Sequence, residues 1–279
     1  MKRFLSTILA FIIITNLYSQ KKSKRLSIDS LTQKKTKSEG IMTSYLDNND
    51  ELFLELSDSI FKKEILVVTR FVQLPSNYSG YINAGSKTSE QVIKFEKKGE
   101  NIYLRQKSFS NFANEIDPIN ISVTKNNFSP ILASFKILNK EKKRYLIDVS
   151  SFFLKDSPGF NIIRKTERDR YKIGRADKNR SSIDSANSYP QNLEIIHTLT
   201  FEASKPPRGN NSKTMTFQIN HSFVELPKNP MPVRYIDHRV GWFSVEKTNY
   251  SSQELKSDTY RIAQRWRLEP KDPEAYNNG

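Results

Sequence analysis

Residues 91–105 read QVIKFEKKGENIYLR. Two half-buried runs, QVIKFE and NIYLR, flank the short Gly-bearing connection KKGE. That is the pattern of a β-hairpin, because side chains alternate faces along a strand and a Gly relieves the tight reversal. The same arrangement recurs downstream. Residues 131–138 and 144–149 flank NKEK, and residues 193–201 and 215–226 flank the longer PPRGNNS. Residues 240–246 and 260–268 supply two more strands. Upstream, LFLELS (52–57) and the β-branched run EILVVTRFV (64–72) are separated by DSIFKKE, which makes a turn, so the three form a small strand-turn-strand module. Helical periodicity is scarce, with room for short helices at 106–116 and 183–188. The expected class is mainly β, antiparallel because short loops join successive strands, with α+β as the other open reading.

The expected domain organisation starts from the N-terminus. Lys2 and Arg3 precede an apolar stretch, 4–14, and LYS (17–19) ends on a small residue, so residues 1–19 read as a secretory signal peptide. The apolar run is about half the ~20 residues that a membrane span requires. An exported protein without a membrane span after signal cleavage is expected. Residues 20–40, rich in Lys, Ser and Thr, read as a basic flexible tether; 41–75 as the small module; 76–268 as the β-rich domain; and 269–279, with Pro270 and Pro273, as a linker. The sequence contains no Cys, which excludes disulfides, thiolate metal sites and a lipidated N-terminal Cys. Its 279 residues and 17 Phe, 12 Tyr and 2 Trp are enough for a sizeable core. Trp242 and Trp266 are expected within that core.

Catalytic signatures are missing from the sequence. No His-Glu-x-x-His pairs two imidazoles with a carboxylate, and no Gly-x-Ser-x-Gly presents a nucleophile. The three histidines, His197, His221 and His238, have no metal-ligand spacing. Residues 209–214, GNNSKT, lack the second Gly of a phosphate-binding loop and fall between strands. No catalytic residue, cofactor site or metal ligand is therefore assigned.

The formal net charge is +15. Such a surplus suits nucleic acid, an anionic envelope surface or acidic glycans, and export argues against nucleic acid. The densest run is 164–180, RKTERDRYKIGRADKNR. It has two readings. In one, Arg164, Lys165, Arg168, Arg170, Lys172 and Arg175 meet phosphate, sulfate or carboxylate groups of a polyanion; in the other, more ordinary one, the run is a solvated connection with local Arg–Asp pairs.

Six phrases together resemble a known arrangement: EILVVTR (64–70), EQVIKFE (90–96), SPILASF (129–135), NHSFVELP (220–227), RVGWFSV (239–245) and RWRLEPKDPEAY (265–276). Their order resembles the N-terminal half of the large secreted zinc-dependent metalloproteases of Bacteroidetes. In that family two modules of unknown function precede a metzincin-like catalytic domain. The resemblance implies a non-catalytic accessory or pro-region, with the chain breaking off where the peptidase domain would begin. Zinc would belong to that absent domain, which would be the partner in cis or as a split chain. A secreted β-rich module binding polyanions or envelope glycans is the alternative function.

Overall fold

The computed structural model describes residues 26–237, 239–251, 256–268 and 270–277. The expected signal peptide and residues 20–25 lie outside them, as does His238. The strands in chain order are β1 (Thr36–Ser38), β2 (Thr43–Leu46), β3 (Leu52–Ser57), β4 (Ile65–Gln73), β5 (Lys87–Lys98), β6 (Asn101–Lys107), β7 (Asn111–Phe112), β8 (Ile131–Glu141), β9 (Arg144–Asp148), β10 (Ile173–Ala176), β11 (Ser182–Ser188), β12 (Asn192–Ala203), β13 (Thr214–Glu225), β14 (Ser244–Asn249) and β15 (Asp258–Ala263). The hairpin at residues 91–105 is β5–β6, turned where Gly99 takes a φ of 58°.

Twelve strands form one antiparallel sheet in the order β1-β2-β3-β9-β8-β6-β5-β4-β13-β12-β10, with β11 also paired to β12. The sheet curls until its ends nearly meet. The Ile41 amide donates to the Tyr189 carbonyl at 2.8 Å, and the Ser44 hydroxyl to the Ala186 carbonyl at 2.7 Å. The Ser188 amide donates to Ser38 Oγ at 2.8 Å. Gly40 permits this approach, since a Cβ there would lie 2.3 Å from the Tyr189 carbonyl oxygen. Gly40→Ala is therefore expected to lower stability by about 1–3 kcal/mol through overpacking. A denaturation midpoint equal to the parent's would show that the seam tolerates a wider gap.

Strand alternation fills the inside. Leu52, Leu54 and Leu56 of β3, Ile65 and Val67 of β4, Ile93 and Phe95 of β5, and Leu193 and Ile195 of β12 belong to one large buried cluster. A second cluster continues along the same strands: Phe71 of β4, Leu199 and Phe201 of β12, and Met215, Phe217 and Ile219 of β13, closed by Tyr171. The strand-turn-strand start is present as β3 and β4, linked by a 3-10 turn, Asp58–Lys62. Both strands are members of the large sheet: β3 pairs with β9, and β4 lies between β5 and β13.

Several expectations are corrected. Residues 26–40 are not a free tether. Helix Ile28–Thr32 buries Ile28 against Tyr45 and Leu146, and Lys35 is held by Asp47 at 2.6 Å and Glu51 at 2.9 Å. One apolar helical turn within a polar segment was enough to dock it. Residues 183–188 are strand, not helix, because β11 pairs with β12 and directs Ile183, Ala186 and Ser188 inward. Residues 106–116 hold the end of β6 and β7, and the nearby helix is Ile119–Asn126. The segment read as a linker carries a short helix, Pro273–Asn277.

Candidate docking surface

Strands β14 and β15 pair antiparallel, and β7 joins β14 in parallel to make a separate three-stranded sheet. Their side chains are mostly exposed or half-buried, unlike those of the large sheet. Trp242 and Trp266, expected in the core, are corrected by this placement: Trp242 is 62% exposed and Trp266 86%. Their aromatic character called for burial, yet no described element covers them. Phe243, at 83%, is equally open, and Tyr235, Val240, Leu268 and Tyr276 are exposed too.

This surface is held in place by polar contacts. The Trp242 indole donates to the Gln264 carbonyl at 2.7 Å, and the Gln264 amide donates to the Phe243 carbonyl at 2.9 Å. Segment 234–236 lies along β15, the Ile236 amide donating to Arg261 and the Ala263 amide to Arg234, both at 2.9 Å. Beside Trp242 is a cavity of about 340 Å3 lined by Arg234, Tyr235, Val240 and Ala263. Trp242 is thus an anchored but exposed ring beside an open hollow.

The basic run 164–180 is divided among several elements. Arg164 precedes helix Lys165–Tyr171 and lines a small cavity with Tyr78 and Tyr81. Lys165 pairs with Asp169 at 2.8 Å, one helical turn on. Arg168 pairs with Asp156 and donates to the Gly174 carbonyl at 2.7 Å. Burial pushes the Asp156 carboxyl up, against the pull of Arg168. Arg170 lies over the Tyr171 ring, and Lys172 closes the helix in the left-handed conformation at φ 51°. Arg175 is exposed on β10, and Arg180 pairs with Asp177 at 2.7 Å. The local-pairing reading thus accounts for Lys165, Arg168 and Arg180. Residues 209–214 lie in the β12–β13 connection, where no helix follows to complete a phosphate cradle.

An arrangement that the sequence did not disclose joins His197 and His221. Both face inward on adjacent strands, with Thr69 of β4 directly opposite His221. The three side chains form a chain. His197 Nδ1 is 2.6 Å from the Phe153 carbonyl, the two Nε2 atoms are 2.9 Å apart, and His221 Nδ1 is 2.8 Å from Thr69 Oγ1. A carbonyl only accepts, so His197 carries its proton on Nδ1. His221 must then donate from Nε2, and the Thr69 hydroxyl donates to His221 Nδ1. Burial pushes His197 down to about 4, outweighing the Phe153 carbonyl and the charge of Asp184. Burial and the neighbouring His197 hold His221 well below the ordinary range. With all four ring nitrogens engaged, the neutral pair is a structural link between the two apolar clusters. Among the described residues no cluster of three or more His, Asp or Glu has the arrangement of a metal site.

Comparison with known proteins supplies the family. No curated protein and no solved structure matches the chain. One family model, a domain of unknown function (DUF5118), matches residues 26–74, and another, a domain of unknown function (DUF5117), matches residues 85–271. The second match runs from the start of the β5 region through the exposed sheet and Trp266, covering well over half of the sequence, and the chain therefore belongs to the DUF5117 family.

Proposed function

We propose that this chain is a non-catalytic accessory region that packs against the catalytic domain of a secreted zinc-dependent metalloprotease. The observation that carries the reading is the exposure of Trp242, Phe243 and Trp266 in the segments flanking β14 and β15, with Trp242 beside an open hollow. Soluble proteins seldom leave such rings together in water without a partner, and aromatic anchors dominate interface energies. The sequence resemblance to the N-terminal half of those metalloproteases supports this choice of partner. On this reading the chain acts after export and removal of residues 1–19, and zinc chemistry belongs to the partner.

The test mixes the full chain with a catalytic domain from that metalloprotease group and measures association by calorimetry. Trp242→Ala with Trp266→Ala is expected to weaken binding by more than about 2 kcal/mol, roughly 30-fold. Because both rings are exposed, each substitution alone should shift the stability of the isolated chain by only about 0.5 kcal/mol. Absence of association by the parent chain, or equal association by the double variant, would defeat the reading.

A further inference from the structure

The outer face of β5–β6 carries a different feature. Lys94 of β5 lies directly opposite Arg105 of β6, and Lys107 follows two residues along β6 on the same face. Like charges set opposite one another on a sheet are destabilising, so the arrangement breaks a local rule. Such violations concentrate where function requires them. Glu96 answers part of the charge by accepting from Arg105 Nε, and the Ser129 carbonyl accepts from Arg105 Nη1 at 2.7 Å. Arg105 Nη2 and Lys94 Nζ have no acceptor among the described residues, while Lys107 reaches Glu64 only at 3.8 Å.

These three half-buried cations line a groove of about 740 Å3, bounded on its other side by helix Ile119–Asn126 and the segment after it. Lys94 also lines an adjoining cavity of about 900 Å3 together with Lys62, Lys63 and Lys228. Each volume is in the range of ~300–1,000 Å3 typical of ligand sites. Asn111, Asn120 and Asn127 also line the first groove, Asn111 donating to Asn127 and Asn127 to the Val123 carbonyl, both at 2.8 Å, beside the exposed ring of Phe128, which packs 4.8 Å from the Arg105 guanidinium.

We propose that this groove binds an acidic polysaccharide. Its carboxylate or sulfate groups would meet Lys94, Arg105 and Lys107, and its hydroxyls the Asn120 amide. A peptide is disfavoured because β5 and β6 are paired on both sides, by β4 and β8, and offer no free strand edge for a backbone ladder. The site is separate from the surface around Trp242.

The probe is polygalacturonate, with dextran as the neutral control and poly-L-glutamate as the peptide control, measured on the full chain by affinity electrophoresis. Retention by polygalacturonate at low salt, falling steeply as salt is raised, is expected, with no retention by dextran. K94Q combined with K107Q should weaken it at least about 10-fold, as expected for loss of two charge-assisted contacts. Both side chains are partly solvent-facing and Lys94 opposes Arg105, so the variant should melt no lower than the parent. K94R with K107R should restore binding, and R170Q with R175Q should leave it unchanged. Failure to retain polygalacturonate at low salt, equal retention by the Gln variant, or equally tight binding of poly-L-glutamate would each overturn the proposal. Trp242→Ala should not alter polysaccharide binding, so this outcome is distinguishable from loss of the docking function.

Discussion

Shifting the protein from pH 7 to pH 5 is expected to remove roughly 3–4 kcal/mol of folding stability through His197 and His221 alone. In the unfolded chain each imidazole titrates near ~6.5. In the fold both are buried and neutral, His197 held down to about 4 and His221 held well below its ordinary range by burial and the neighbouring His197. Their folded pKa values lie below the unfolded ones, so between these limits the unfolded state holds more protons. Stability from this source is therefore fully present above the unfolded pKa and declines as pH falls, by about 1.4 kcal/mol per unit for each histidine. Below about pH 4 the His197 contribution levels off. Protonating His197 also breaks the chain, since both Nε2 atoms would then carry a hydrogen and neither could accept. Denaturant midpoints across pH 5–7 measure the slope. A variant with Leu at both positions should be less stable at pH 7, because the Phe153 carbonyl loses its donor, but should have a much flatter profile. An undiminished slope in that variant would assign the acid sensitivity to carboxylates elsewhere.

Phe217→Ala is the most damaging single truncation expected, at about 3–5 kcal/mol. Its side chain is fully buried on β13, with ring centroids 5.1 Å from Tyr78, 5.7 Å from Phe71 and 5.9 Å from Phe201. These neighbours come from β4, β12 and the loop after β4, and the sheet holds the strands too firmly for the gap to close. A cavity therefore remains, adding to the lost transfer energy. Chemical denaturation at pH 7 reads the loss directly, and a loss under about 1 kcal/mol would mean that the second apolar cluster rearranges around the site. Phe217→Leu, which keeps most of the volume, should retain the larger part of the stability.

The antiparallel class and the main hairpins were legible because their signals are local. In β5–β6 the apolar residues Ile93, Phe95, Ile102 and Leu104 alternate on either side of a Gly turn, all within fifteen residues. In the basic run Lys165–Asp169 and Arg180–Asp177 pair three or four residues apart, whereas Arg168 pairs with Asp156 outside it. Other readings failed where residue type had to stand in for environment. Polar composition concealed the docking of Ile28, and aromatic character wrongly placed Trp242 and Trp266 inside.

The sequence by itself determined the main hairpin strands, their turns and the lack of thiol chemistry, since alternation, turn residues and residue inventory need no knowledge of distant partners. Tertiary structure alone decided that β4 would lie beside β13, that His197 would meet His221 and Thr69, and that the cations of β5–β6 would face helix Ile119–Asn126 across a groove. Those outcomes depend on strand register and on which sheet face is covered. Register between residues as far apart as Thr69 and His221 is set by the summed packing of whole strands, and no short stretch of the chain encodes that sum.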